Sequence, residues 1–202
     1  MEVIIKKATE EDYFKTEYIT RESFWNVYKM GCDEHLILKN LRNSKCYVNN
    51  LDLVAVYKNE IIGHIISTKA KVIDSKNNEY EVLCVGPLSV LPEFQKQGIG
   101  SMLMKSSIAK AKELNYAGMI LFGNPDYYHR FGFINAKEYE ITTKDNQNFE
   151  PFMAIELISN GLSNVNGRFF EDNAFEVNQD VLTEFEKKFP YKEKFKTSTQ
   201  FE

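Results

Sequence analysis

The chain has 202 residues, enough for one domain with a sizeable core and at most a small appendage. Its 43% hydrophobic and 27% charged content is ordinary for a globular protein, and no apolar run approaches the ~20 residues of a membrane span. A net charge of −4 runs against duplex-phosphate binding, which favours a basic excess, so neither nucleic acid nor membrane is expected as a partner.

Residues 3–7 read as a first strand. Residues 1–7 lack the basic-then-apolar order of a secretory signal, and a cytoplasmic protein is expected. Thr9 is placed to cap a helix that starts with Glu10, Glu11 and Asp12, continues to about Tyr28 and breaks at Gly31. Residues 33–41 predict a second short helix. Strand-like runs at 51–57, 61–71 and 80–90, separated by turns at 59–60 and 75–78, predict an antiparallel meander.

The texture changes after Pro92. Residues 98–115 predict a helix with Ile99, Met102, Leu103, Ser106 and Leu114 along one side, interrupted by Lys110. Residues 117–122 form an almost wholly apolar run, as in a strand buried on both faces. A turn at 123–126 follows, with Asp126 as the expected cap of a short helix through Arg130, ended by Gly132. Further strands are expected at 133–141 and 152–158. The strand–helix–strand unit over 80–122 implies one parallel pair inside a largely antiparallel sheet, hence a mixed α/β fold.

From Ser159 the composition becomes more polar. Residues 169–177 predict a strand or hairpin, and residues 181–189 a helix stopped by Pro190. Seven aromatics in this stretch argue that it packs on something. We expect a main domain over 1–158 and an extension over 159–202, packed on that domain or at a homodimer interface. Cys32, Cys46 and Cys84, like His35, His64 and His129, are scattered without ligand spacing, so no metal is expected.

The most informative segment is residues 88–101. A strand ends, two glycines follow, and a helix begins. Such a junction aims backbone N–H groups and a positive helix end at one place, an anion site, and Lys96 adds a charge. A P-loop would close with Gly-Lys-Ser/Thr, but Gly100 is followed by Ser101 and Met102. A dinucleotide fingerprint needs a small third residue where Leu103 stands. What remains is Gln-x-x-Gly-x-Gly, spelled by Gln95, Gly98 and Gly100.

This motif resembles the signature of the GNAT superfamily of acetyl-coenzyme A-dependent N-acetyltransferases. Tyr-x-x-x-Gly-Phe, from Tyr128 to Phe133, is similar to the family's later motif. The doubled Tyr127-Tyr128 before Arg-Phe-Gly-Phe resembles the small YhbS-type bacterial subgroup. The resemblance spans roughly residues 1–158 and implies a GNAT-like fold with acetyl-CoA as co-substrate and no metal. It implies that Gln95, Lys96, Gln97, Gly98, Ile99, Gly100 and Ser101 hold the pyrophosphate, and that the backbone of Leu88 and Val90 pairs with the pantetheine arm. It further implies direct transfer to a primary amine in a ternary complex, with Tyr128 as general acid toward the thiolate. A thiolate with pKa about 8.5 can take a proton from a phenol at about 10.

Two positions depart from the family's pattern. Leu121 stands where many relatives have an asparagine, so Asn124 is the candidate coenzyme contact. Cys84 stands near the position of some relatives' glutamate base, with Glu81 close by. The acceptor, a small molecule or a peptide amine, is left open, and its side of the cleft is expected from residues 20–42 and 134–158. An alternative is a non-catalytic acyl-CoA sensor.

Overall fold

Alternating apolar side chains broken by short polar turns fold the first half into hairpins. In this computed structural model, which describes residues 1–200, the strands are β1 Ile4–Lys7, β2 Tyr47–Tyr57, β3 Glu60–Ile73 and β4 Glu79–Val90. The last two positions of the 159–202 extension lie outside the described residues. Lys58 and Asn59 both take left-handed φ, the backbone twist that suits a tight hairpin, and bring Tyr57 opposite Glu60. The meander expected from the sequence is present.

Beyond it come β5 Gly118–Phe122, β6 Ile134–Asn135, β7 Ile141–Thr143, β8 Phe152–Glu156 and β9 Gly167–Phe170. Strands run in the order β1-β2-β3-β4-β5-β8-β6, and β9 joins both β3 and β7. The β4–β5 pair is parallel within this largely antiparallel sheet, giving the mixed α/β fold expected. A second short parallel pair, β7 with β9, brings the tail into the sheet.

The helices are α1 Tyr13–Phe24, α2 Glu34–Arg42, α3 Ile99–Glu113, α4 Pro125–Tyr128 and α5 Gln179–Glu186. The first three cover both faces of β3. On one face His64 meets Arg42 of α2, while on the other Ser67 Oγ lies 3.2 Å from Ser107 Oγ of α3. Because side chains alternate along a strand, two covered faces produce the unbroken burial from Ile61 to Thr68. No helix among the described residues is long and apolar enough to cross a membrane.

Several local expectations are corrected. The Asp12 carboxylate accepts from the Thr9 N–H and hydroxyl, so Thr9 opens a 3-10 turn at Glu10–Asp12 and α1 starts only at Tyr13. That helix ends at Phe24 because Trp25 leaves helical geometry and Asn26 turns left-handed. On α3 the buried row is Ile99, Leu103, Met104, Ser107 and Ala111, and Met102 and Leu114 are exposed. Small side chains at 107 and 111 let the helix approach the sheet. Residues 133–141 are not one strand: the Asn135 side chain accepts from the Lys137 N–H, capping a 3-10 turn at Ala136–Tyr139.

Candidate active site

The site grows from a fork in the sheet. β4 pairs with β5 at only two positions, Leu83 with Met119 and Cys84 with Ile120, whereas its pairing with β3 continues to Val90. A register shift where Ile65 faces Leu88 and Ser67 faces Val85 inserts an extra residue around Gly86 and Pro87. Gly86 is required there, since a Cβ would lie 2.8 Å from Ile66 Cγ2. Past the fork, β4 has no strand neighbour on its β5 side among the described residues. A cleft of about 1260 Å³ opens between them.

One end of the cleft is the glycine loop. The backbone turns left-handed at Lys96 and Gly98, and Gly98 is the N-cap of α3 with no side chain capping the helix. Among the described residues nothing accepts from the amides of Gly98, Ile99 and Gly100, which line the cleft. A Cβ at Gly98 would meet nothing within 4 Å, so the cradle is open above it. Free N–H donors at a helix start form an anion site. These observations fit a pyrophosphate.

The other predicted residues fall as follows. Leu88, Val90, Gln95, Lys96, Ser101, Asn124 and Tyr128 line the same cleft. Gln97 turns back, donating to the Glu93 carbonyl at 3.1 Å. Gln95 donates to the Val90 carbonyl at 3.0 Å and so ties the loop to the strand end. Asn124, rather than Asp126, caps α4, accepting from the Asp126 N–H at 3.0 Å.

The two tyrosines take different places. The Tyr127 hydroxyl lies against the loop, only 2.6 Å from where a Gly100 Cβ would be. Tyr128 is largely buried against Tyr127 and Phe133, with ring centroids 5.0 and 5.8 Å away. Its ring occupies space that only a glycine at 123 leaves free, since a Cβ there would be 2.2 Å from Tyr128 Cε2. Burial, then Tyr127 and Tyr28, push its phenol well above the usual range. It therefore holds its proton at neutral pH, and its hydroxyl has no hydrogen-bond partner among the described residues.

Cys84 is buried, and burial raises its thiol well above the usual range, which disfavours a nucleophilic thiolate. Glu81 is on the outer surface, paired with Lys69 at 2.9 Å. Two carboxylates not predicted as site residues do reach the cleft: Glu34 at the start of α2 and Glu171 just after β9. Burial raises both. Glu171 Oε2 lies 4.0 Å from Cys84 Sγ, so the tail brings a carboxylate to the position where β4 itself has a thiol. In sequence Glu34 reads as an ordinary acidic helix start, and Glu171 belongs to a polar tail with no motif.

The family described as Acetyltransferase (GNAT) matches residues 8–133. The chain belongs to the GNAT acetyltransferase family. Among curated relatives, it is 30% identical over 83 residues to the uncharacterized N-acetyltransferase YjhQ of Escherichia coli K12, covering 41% of this chain and 45% of YjhQ. It is 23% identical over 108 residues to the uncharacterized N-acetyltransferase YhbS of the same strain, covering 54% of this chain and 63% of that relative. The matches thus span less than two thirds of these relatives. The fold of E. coli YhbS, solved with CoA, superposes with a TM-score of 0.77 at 22% identity, covering 87% of this chain and 92% of the other. A GNAT family acetyltransferase from Brucella melitensis, solved with acetyl-CoA, gives 0.70 at 25% identity, covering 87% and 99%. The fork, the loop and α4 belong to this GNAT fold.

Proposed function

We propose that the protein transfers an acetyl group from acetyl-CoA to a primary amine, both held in the forked cleft. One observation carries this reading: free amides at the start of α3 and Tyr128, whose hydroxyl has no hydrogen-bond partner among the described residues, line the same opening between β4 and β5. The loop 95–101 and Asn124 line the coenzyme end, and Leu88 and Val90 offer strand backbone to an extended arm. Acetyl-CoA, when bound, supplies the activated acetyl carbon. The solved complexes of the two relatives, with CoA and with acetyl-CoA, support that choice.

Tyr128 is the general acid in this reading. The amine enters as R–NH₃⁺ and loses one proton before attack. A C–N bond forms, the C–S bond breaks, the departing sulfur takes the Tyr128 proton, and the second proton from nitrogen restores the phenol. The products are the acetamide, CoA thiol and one H⁺. Holding both reactants in one cleft supplies much of the acceleration. By the same reading residues 1–158 are the transferase domain and 159–202 an extension packed on it, a division supported by the contacts of Glu186 with Arg21 and of Glu193 with Trp25.

The test is calorimetric titration of acetyl-CoA into wild type, Tyr128→Phe and Gly98→Trp. Binding to the first two and its loss in the third is expected. No binding to wild type would overturn the transferase reading and also a sensor role.

A further inference from the structure

The charged side chains that line the cleft are sorted by sign. They are Lys96, Arg130, Glu34 and Glu171. Lys96 belongs to the loop, and the Arg130 guanidinium lies 4.9 Å over the Tyr127 ring, whose hydroxyl touches the same loop. Glu171 sits at Cys84, six residues back along β4 from Val90, which places it about 20 Å from the loop end of the strand. Glu34 lies on α2, which packs against the turn 173–175 that follows Glu171, and Ile37 and Phe175 both rest on the same buried cluster of Leu38, Leu41, Cys46 and Ile66. A basic end suits an anion, and the acidic end suits a cation.

Between the carboxylates the wall is aromatic and apolar, with Ile37, Phe122, Phe149 and Phe175. Phe122 and Phe149 are 46% and 42% exposed although they sit in a concavity, and their rings stack 6.0 Å apart. Exposed rings in a cleft mark a binding surface. Tyr128, whose hydroxyl has no hydrogen-bond partner among the described residues, lines the same space. Two exposed lysines stand near this end, Lys29, which pairs with Asp33, and Lys144, 4.0 Å from Glu176, but neither lines the cleft.

We infer that the acceptor is a primary amine entering as a cation on an apolar, aromatic or alkyl body, with no carboxylate beside the amine. This rests on the transferase reading above. Glu34 and Glu171 attract and orient the ammonium, the phenylalanine wall holds the body, and a substrate carboxylate would meet like charge on the cleft wall there. An α-amino acid is thereby disfavoured, because its carboxylate would be desolvated on a wall whose charged groups are carboxylates.

A matched pair of probes tests this. 2-Phenylethylamine and phenylalanine differ by one carboxylate, and each is titrated calorimetrically into the protein with and without CoA. Acetyl transfer is followed as thiol release at saturating acetyl-CoA. Phenylethylamine should bind and be acetylated, with phenylalanine about a hundredfold lower in kcat/KM. Glu34→Gln and Glu171→Gln should each weaken amine binding while acetyl-CoA still binds, which also shows the variants are folded. Equal use of phenylalanine, or unchanged amine binding in both variants, overturns the inference. So does acetyl-CoA binding without any phenylethylamine binding or turnover. Absence of acetyl-CoA binding would instead remove the transferase reading, and the titration without CoA would still decide the amine's fit.

Discussion

Tyr128 and its glycine neighbour make one unit. The ring lies where a Cβ on Gly123 would be, so the place of Tyr128 in the cleft depends on a residue with no side chain. Under the proposed mechanism Tyr128→Phe should lower kcat about 10²- to 10³-fold with little change in acetyl-CoA affinity, since general acid catalysis contributes on that scale. Gly123→Ala should reproduce most of that loss by displacing the ring, which steady-state kinetics beside a coenzyme titration would show. If Gly123→Ala kept full kcat, Tyr128 would not need its observed position. The Gln-x-x-Gly-x-Gly loop and Tyr128 were legible in the sequence because their chemistry is local, in glycines, a helix start and one phenol. Glu34 and Glu171 were not, because each gains meaning only from what long-range folding places across from it.

At the scale of elements, α1 and α5 are joined by buried charge. Arg21, 2% exposed, donates from Nε and Nη2 to the Glu186 carboxylate at 3.0 and 2.9 Å, and His35 Nε2 lies 2.6 Å from the same carboxylate. Burial opposes ionisation of Glu186, but His35 and Arg21 outweigh it and hold the group down at about 2. A depressed folded pKa gives stability that is present above the unfolded value, about 4.3, and lost as pH falls through about 2. Acid titration of the fold should therefore show a loss within that window that Glu186→Gln lacks. The substitution should itself cost up to about 3 kcal/mol at neutral pH, because buried Arg21 keeps only the longer 3.4 Å contact with Glu22 as a countercharge. Chemical denaturation measures both. This contact also explains why α1 was hard to bound from sequence. Its buried residues are Thr16, Glu17, Ile19, Thr20 and Arg21, so the inward face carries little apolar pattern.

Across the whole molecule, the meander was readable because β2, β3 and β4 are long and separated by turn residues. Residues 133–141 were not, since strands of two and three residues carry no periodicity. The covered face of the meander has a second charged knot, where Asp52 accepts from Arg42 Nε at 2.8 Å and from the Tyr47 hydroxyl at 3.0 Å, with His64 Nε2 2.7 Å away. Asp52→Ala should destabilise by about 3–5 kcal/mol, measured by denaturant unfolding, because Arg42 would lose its partner in the interior. The fork has a different consequence, visible in amide hydrogen exchange. With only two rungs joining β4 to β5, the amides of residues 85–90 that face away from β3 should exchange far faster than those of the β2–β3 hairpin. A ligand seated in the fork would act as a missing strand. It should slow those same amides selectively, and at a hundredfold excess over its Kd it would add about 2.7 kcal/mol to the stability of the whole fold.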